Sequence, residues 1–283
     1  MKIYYDHNVQ KDEKIPEVVM DLNRHLVTKL SDFESFLNIL KEKRMLNLKT
    51  EDIGESAQDN NRVLLTFDDG YKSFKDNILP LLEKYEVPAV LFITTGFVEG
   101  RFTPHAIDLL KMISAQEVII EVNGEERRCG SQAQKKEVYS RICKKLKILS
   151  HPNRMEYMSQ LKNNNPLDDD RSGLFEFLSW SEVQELDRHP LVTIGSHTRD
   201  HSNLKTVSWR ESYKEIKNSK WILEEKLGHA IELFSYPYGA NSFFSRQITK
   251  WAGYKYAFAT GEKEFNGEDR SSIPRIEVNN ADL

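Results

Sequence analysis

Seven short, nearly continuous apolar segments recur along the chain, separated by longer segments of helical pattern. They cover residues 2–5, 63–66, 89–93, 192–196, 233–236, 256–259 and 275–278. Apolar segments of this length are typical of parallel strands that are buried on both faces. Their alternation with helices predicts right-handed βαβ units, and seven strands favour a barrel over a short open sheet. We therefore predict an α/β fold.

Three helices are bounded by residues that commonly begin or end a helix. They are predicted over residues 32–44, 78–85 and 209–227. Ser31 is placed to cap the first helix, because a serine side chain can accept a hydrogen bond from an unpaired N–H of the first turn. Pro88 follows the second helix. Gly228 follows the third, at a position that favours a left-handed backbone.

The alternation is interrupted between about residues 101 and 177. Residues 118–129 predict a hairpin with its turn at Asn123-Gly124, residues 134–149 a basic helix, and residues 163–173 an exposed loop. A second domain is one interpretation of this stretch. We favour an insertion in a single domain spanning residues 1–283, because the stretch has few large apolar residues with which to form its own core.

Composition and charge exclude several classes of protein. Hydrophobic residues make up 39% of the 283 positions, which is enough for a buried core and excludes an intrinsically disordered chain. The 40 basic and 44 acidic residues give a net charge of −4, so no strong field favours nucleic acid or an anionic membrane. Cys129 and Cys143 cannot build a disulfide framework, which fits a reducing compartment. With no apolar run of about 18 residues and no signal-peptide pattern, we expect a cytoplasmic protein without a transmembrane helix.

Two adjacent carboxylates follow the strand predicted at residues 63–66. In the sequence TFDDG, Asp68 and Asp69 point to different sides, so one can bind a metal while the other acts as a base. The C-terminal ends of barrel strands are where active sites are built. The alternative is an exposed turn, for which Asp-Gly is an ordinary signal.

A pair of histidines follows the strand predicted at residues 192–196. In the sequence IGSHTRDH, His197 and His201 are four positions apart, close enough to place two imidazoles on one metal. Two histidines and one aspartate suit Zn²⁺ and are compatible with Fe²⁺, Co²⁺ or Ni²⁺. Three protein ligands leave positions open for water and substrate. The alternative is a solvated helix face.

A proline-containing turn follows the strand predicted at residues 233–236. In the sequence FSYPYG, Pro237 sets the turn, and the backbone N–H of Tyr238 could point at an oxyanion. Taken alone, this motif favours the alternative, an aromatic turn that packs on the core.

Together the three motifs resemble the polysaccharide deacetylase (NodB-homology, carbohydrate esterase family 4) group. The resemblance extends over TFDDGY, PAVLFITTGFV, SEVQEL, IGSHTRDHSNL, FSYPYG, GYKYAFAT and IPRIEV, which covers most of the chain outside the insertion. It implies a distorted (β/α)7 barrel of the NodB-homology type. It also implies that Asp69, His197 and His201 are the metal ligands and that Asp68 is the general base.

The two ends of the chain resemble a circularly rearranged branch that includes the poly-N-acetylglucosamine deacetylases. In that branch a histidine near the first strand supplies the acid that protonates the leaving group, and this corresponds to His7. The usual form is Tyr-His, whereas Asp6 intervenes here. A histidine at a strand end without a catalytic role is the alternative. The other histidines are set aside, among them His105 and His151 because they lie in the insertion.

The third motif also departs from the commoner form of the family. That form has an arginine where Ser235 stands, and the arginine pairs with the base carboxylate. By resemblance, Arg275 of the last strand is a candidate to fill the same space. An ordinary structural ion pair is the alternative.

The reaction implied by the resemblance is hydrolysis of an acetamide on a sugar. We expect a metal-dependent carbohydrate N-deacetylase that uses Zn²⁺ as its most suitable metal. The expected substrate is an N-acetylated precursor of surface polysaccharide, such as a sugar nucleotide, a lipid-linked sugar or an oligosaccharide. The alternatives are a C–N hydrolase of the same fold acting on a non-sugar amide and a catalytically inactive carbohydrate-binding protein.

Overall fold

A curled parallel β-sheet forms the centre of the molecule. The structure is a computed structural model and describes residues 1–15, 17, 19, 27–43, 45–47, 53, 59, 61–114, 118–122, 125–164 and 172–278. The strands are β1 (Lys2–Asp6), β2 (Val9–Gln10), β3 (Thr28–Lys29), β4 (Leu46–Asn47), β5 (Arg62–Phe67), β6 (Ala89–Ile93), β7 (Val118–Val122), β8 (Glu125–Cys129), β9 (Val192–Ser196), β10 (Leu233–Ser235), β11 (Tyr256–Phe258) and β12 (Ile276–Glu277).

Seven of these strands lie side by side in the order β11-β10-β9-β6-β5-β1-β12, and β4 pairs with β5 beside this path. Every pair in the sheet is parallel. The pairing is uneven. β1 pairs with β5 over five positions, whereas β9 and β10 are paired at one position, Ser196 with Phe234. The one paired position is the last residue of β9, directly before His197.

The last segment of the chain brings the two ends of this path together. β12 pairs with β1. Just before β12, the carbonyl of Ile273 accepts a hydrogen bond from the N–H of Ala259 at 2.7 Å. The carbonyl of Arg275 accepts one from the N–H of Gly261 at 3.0 Å. The sheet thus curls into a distorted (β/α)7 barrel, and the predicted fold class is confirmed.

Helices surround the sheet, and several of them cover it with their apolar faces. They are α1 (Leu30–Glu42), α2 (Leu79–Tyr85), α3 (Thr95–Val98), α4 (His105–Ser114), α5 (Gln132–Ile148), α6 (His151–Asn164), α7 (Trp180–Asp187), α8 (Trp209–Leu227) and α9 (Phe243–Trp251). The main hydrophobic core joins strands and helices, as in the buried set Phe33, Leu65, Leu91 and Ile216. Among the described helices, none is long and apolar enough to cross a membrane.

The predicted elements agree well with the observed ones. The strands at residues 89–93 and 192–196 and the helix at residues 209–227 have the predicted bounds, and Gly228 ends that helix with a φ of 79°. The other five strands differ from the prediction by one residue at one or both ends. The helix predicted from residue 78 begins at Leu79, because residues 74–78 form a π-helical turn before it.

The start of α1 differs from the prediction. The helix runs over Leu30–Glu42 rather than residues 32–44, so Ser31 lies inside its first turn and does not cap it. Instead, the backbone N–H and the hydroxyl of Ser31 both donate to the carboxylate of Asp12, at 3.2 and 2.5 Å. A side chain distant in sequence satisfies the first turn, which a local pattern could not indicate.

The insertion packs against the barrel through a second hydrophobic cluster. β7 and β8 pair antiparallel as predicted. The turn residues 123–124 and residues 165–171 of the predicted loop lie outside the described residues. Buried residues of α4, α5 and α6, among them Ile107, Ile142 and Leu161, form the cluster together with Tyr71 of the barrel. The insertion therefore buries more apolar side chains than the sequence suggested. Its assignment to one domain over residues 1–283 stays a prediction.

Candidate active site

The three sequence motifs meet at one end of the barrel. Asp68 follows β5, His197 follows β9, and Tyr238 lies in the turn Pro237–Gly239 after β10. Arg275 directly precedes β12. The carboxyl ends of parallel strands lie at the same edge of a sheet, which brings Asp68, His197 and Tyr238 together. Arg275 joins them because β12 pairs with the second half of β1, at Tyr4 and Tyr5.

The backbone is strained at the same place. Five described non-glycine residues have a positive φ, and four of them lie in the motifs: Asp69 (77°), Thr198 (67°), His201 (50°) and Tyr238 (60°). Such conformations cost about 1–3 kcal/mol each and persist only where the surrounding structure enforces them. Their concentration in the three motifs marks this end of the barrel as the functional site.

Asp69, His197 and His201 form a group that could hold a metal ion. One ligand atom from each lies within 4.8 Å of the others. The Nε2 atoms of His197 and His201 are 3.7 and 3.4 Å from Asp69 Oδ1. Ligands about 2.1 Å from a tetrahedral Zn²⁺ would be about 3.4 Å apart. Asp69 Oδ1 is buried and has no hydrogen-bond partner among the described residues. The donor set and this unpaired oxygen fit a divalent cation.

Hydrogen bonds on the far side of both rings orient the two histidines. The Nδ1 atom of His197 is 2.8 Å from the carbonyl oxygen of Ser235, and Nδ1 of His201 is 3.2 Å from the hydroxyl of Tyr238. Metal-binding histidines commonly use their second nitrogen in this way, which fixes the ring and directs the other nitrogen to the metal. In both residues Nε2 is left facing Asp69.

Arg275 forms a buried, two-pronged ion pair with Asp68. Its two terminal nitrogens donate to the two carboxylate oxygens at 2.8 and 2.7 Å. They also donate to the hydroxyls of Thr66 and Ser235, at 3.0 and 2.7 Å. Arg275 is 1% and Asp68 3% exposed. The structure thus brings together the arginine and the carboxylate that the resemblance paired.

The adjacent carboxyls have pKa values shifted in opposite directions. Burial alone would raise the pKa of Asp68, but the charges of Arg275 and His197 outweigh it and hold that pKa well below its usual range. Burial, reinforced by the charge of Asp68, raises the pKa of Asp69 well above its usual range in the absence of a cation. Burial lowers the pKa of His197 to about 4. Its imidazole is therefore neutral at pH 7, as a metal ligand must be.

A cavity of about 410 Å³ opens above these groups. The barrel and the insertion both line it. Barrel residues in its wall include Tyr5, His7, Asp68, Asp69, Tyr71, His201, Tyr238 and Glu277. Residues of the insertion in its wall are Phe102, Pro104, His105, Ala106, Cys143, Leu146, Lys147 and Arg154. The volume lies within the range of small-molecule sites.

His7 lies in the wall of this cavity. Its backbone N–H donates to Asp6 Oδ1 at 2.7 Å, and its ring is edge-on to the ring of Tyr5 at 5.5 Å. The side chain of Asp6 is buried and turned towards Thr28, whose hydroxyl donates to it at 3.1 Å. The intervening aspartate therefore does not keep the histidine away from the site.

Sequence reasoning missed several residues of this region. His105 was set aside because it belongs to the insertion, yet it lines the cavity. Arg154 and Glu215 contact the loop that carries His201. Nothing in the local pattern singles out Arg154 or Glu215, because both are charged residues on helices and neither follows a predicted strand.

Comparison with known proteins agrees with this geometry. Residues 55–257 match the family model described as polysaccharide deacetylase. A poly-beta-1,6-N-acetyl-D-glucosamine N-deacetylase of Staphylococcus aureus is 26% identical over 215 residues, which is 76% of this chain and 53% of the relative. The chain thus spans about half the length of that relative.

Solved structures show the same fold. The Streptococcus pyogenes deacetylase PplD, solved in complex with acetate, superposes with a TM-score of 0.57 at 19% identity, covering 98% of this chain and 91% of the other. A de-N-acetylase from Aggregatibacter actinomycetemcomitans gives a TM-score of 0.62 at 17% identity, covering 98% and 95%. At these identities the likeness concerns the fold.

Proposed function

The chain belongs to the polysaccharide deacetylase family, and from this premise we propose that it is a metal-dependent hydrolase that removes an N-acetyl group from a carbohydrate. One observation carries the proposal. A possible three-residue metal site lies directly beside a buried, ionised carboxylate, and both face one cavity. This arrangement has the parts that water-dependent cleavage of an amide requires.

The metal would be held by Asp69, His197 and His201. Zn²⁺ is the ion that we propose, because two imidazoles and one carboxylate are a common ligand set of catalytic zinc sites. Co²⁺, Fe²⁺ and Ni²⁺ suit the same donors. When bound, such an ion polarises the amide carbonyl and makes a water molecule more acidic.

Asp68 would take the proton from the attacking water as general base. Arg275 keeps the carboxylate ionised and fixes its plane through two hydrogen bonds. His197 Nε2 lies 3.8 Å from Asp68 Oδ2, so the base is next to the proposed metal ligands. A base held in one orientation loses little entropy when the reaction occurs.

His7 would protonate the nitrogen that leaves as an amine. The carbonyl carbon gains the water oxygen, the C–N bond breaks, and the nitrogen takes the proton from the imidazole, leaving acetate and the free amino sugar. The backbone N–H of Tyr238 is the proposed donor to the oxyanion. The position of His7 in the cavity wall supports its role.

Acetate release tests the proposal. The purified protein with Zn²⁺ or Co²⁺ is incubated with N-acetylglucosamine oligosaccharides, a nucleotide-linked N-acetyl sugar, a lipid-linked one and a non-sugar acetamide. We expect acetate from at least one sugar. The compound that releases acetate fastest shows which of these kinds of sugar substrate the enzyme prefers. Acetate from the non-sugar amide alone would favour the other C–N hydrolase, and none from any compound would overturn the proposal.

An Asp68→Asn variant tests the base. We expect it to keep the metal and lose about 10²–10⁴-fold in turnover, as is usual when a general base is removed. Asp76→Asn, at an exposed position on the π-helical turn, is the matched control and should keep full activity. Full activity of the Asp68 variant would remove that residue from the mechanism.

A further inference from the structure

The loop that carries His201 is held between two buried side chains of opposite charge. Arg154 belongs to α6 in the insertion and is 2% exposed, while Glu215 belongs to α8 of the barrel and is 4% exposed. Neither residue is one of the proposed ligands, and neither belongs to the three sequence motifs of the site.

Arg154 binds the carbonyl side of the loop. One terminal nitrogen donates to the carbonyl oxygen of His201 at 3.0 Å. The other donates to the carbonyl oxygen of Asp200 at 3.1 Å and to the hydroxyl of Ser202 at 3.2 Å. A planar guanidinium can bridge successive carbonyls in this way, whereas a lysine ammonium is a single compact donor group.

Glu215 binds the amide side of the same loop. One carboxylate oxygen accepts hydrogen bonds from the backbone N–H groups of Arg199 and Asp200, at 3.0 and 2.8 Å. The other accepts from the hydroxyl of Ser202 at 2.7 Å. Ser202 therefore links the two charged groups, as it accepts from Arg154 and donates to Glu215.

The hydrogen bonds of Arg154 reach the proposed metal ligand His201 itself. His201 has a φ of 50°, a left-handed backbone conformation that a residue with a side chain rarely adopts. The carbonyl that Arg154 binds is that of His201, so the guanidinium fixes the peptide plane next to the strained residue. The direction of the imidazole depends on that plane.

We propose that Arg154 is a positioning residue that fixes the metal ligand His201, so that the insertion completes the metal site of the barrel. The inference rests on the proposed metal site, because it concerns the holding of one of its ligands. It goes beyond that proposal in assigning a role to a helix outside the barrel. Hydrogen-bonded groups behind metal ligands commonly change metal affinity by about 10–100-fold when they are removed.

The experiment compares Arg154→Met and Arg154→Lys with the parent protein, using Co²⁺ alone as the probe. The dissociation constant is measured by competition with a chelator, and the visible absorption spectrum of the Co²⁺-loaded protein reports the ligand geometry. We expect Co²⁺ binding to weaken by about 10–100-fold in Arg154→Met, with an altered spectrum. Arg154→Lys keeps the positive charge but lacks the two terminal nitrogens of the guanidinium, and we expect an intermediate loss of Co²⁺ affinity. If Arg154→Met does not fold, Arg154→Lys decides the test.

Lys162→Met is the matched control. Lys162 also lies on α6, and its ammonium pairs with Asp108 of α4 at 2.7 Å, which ties the insertion together away from the metal loop. We expect this variant to bind Co²⁺ as the parent does. Parental affinity and spectrum in both Arg154 variants would overturn the proposal, and so would an equal loss in Lys162→Met. If the proposed function itself is wrong, the parent protein will bind no Co²⁺ or release no acetate, and this result is distinct from the outcomes for the Arg154 variants.

Discussion

The cavity has two walls of different character. On the barrel wall, Arg275 satisfies both oxygens of Asp68, and the unpaired Asp69 Oδ1 faces the proposed metal position between the two histidines. On the insertion wall, both ring nitrogens of His105 and the Nε atom of Arg154 are buried without a hydrogen-bond partner among the described residues. Buried polar groups without a partner are uncommon in proteins. The unpaired nitrogens of His105 and Arg154 therefore suggest a function beyond packing.

The difference suggests that the barrel wall carries out the chemical step and that His105 of the insertion wall helps to bind the substrate. A fully bonded network is rigid, and a rigid base and rigid metal ligands are what the chemical step needs. Groups that keep hydrogen-bonding capacity in the wall of a cavity suit the recognition of a bound molecule. We therefore expect changes in the barrel wall to affect turnover, metal content or stability. Arg154 of the insertion wall acts on the metal loop, whereas a change at His105 should affect mainly substrate binding.

The largest effect is expected for His197→Ala. Removal of one of three proposed ligands should abolish metal binding at micromolar concentration and, with it, acetate release. Elemental analysis and circular dichroism should show that the metal is lost while the fold is kept. His189→Ala is the control, since His189 lies before β9 and pairs with Glu83 at 3.2 Å, outside the site. Unchanged metal content in His197→Ala would contradict the ligand assignment.

A large effect on stability is expected for Arg275→Met. Removing one partner of a buried ion pair costs about 3–5 kcal/mol, because the other charge is left uncompensated. Chemical denaturation measures the free energy of unfolding. Adding Asp68→Asn to Arg275→Met should recover part of the loss, since no unpaired charge then remains.

The matched exposed pair is Arg246 with Asp269, whose nitrogen and oxygen are 3.3 Å apart. Arg246→Met should cost no more than about 1 kcal/mol. A similar cost for both arginine variants would show that the barrel wall is not the rigid network that we describe.

The two walls also differ in how far the sequence predicted them. Asp68 and His197 directly follow apolar strands. In a parallel sheet such positions lie at the same edge, and this follows from the direction of the strands alone. His105 and Arg154 reach the cavity only because α4 and α6 pack on the barrel through the second hydrophobic cluster. That packing depends on contacts between distant residues, which no local periodicity records. The cap of α1 by Asp12 was missed for the same reason.

A smaller effect on turnover is expected for His7→Ala. Loss of a general acid should lower kcat by about 10² on an unactivated acetamide, at the low end of the usual range. The loss should shrink on an amide with a better leaving group, because such a group departs without a proton. His229→Ala is the control, since His229 is exposed and pairs with Asp187 at 2.9 Å. An unchanged kcat would remove His7 from the acid role.

The smallest effect is expected on the insertion wall, for His105→Phe. Phenylalanine keeps an aromatic ring at this position but has no nitrogen. A hydrogen bond from the ring to substrate would therefore be lost, and no empty space would be left in the protein. Loss of one such bond corresponds to about a tenfold rise in KM, with kcat and metal content unchanged, because binding common to substrate and transition state is removed. Burial lowers the pKa of His105 to about 3. The imidazole is therefore neutral, and the KM ratio should be the same between pH 6 and 8. His105→Gln keeps a donor and an acceptor and should restore part of the affinity. A fall in kcat without a change in KM would show that His105 takes part in the chemical step. It would contradict the assignment of catalysis to the barrel wall and of substrate binding to His105.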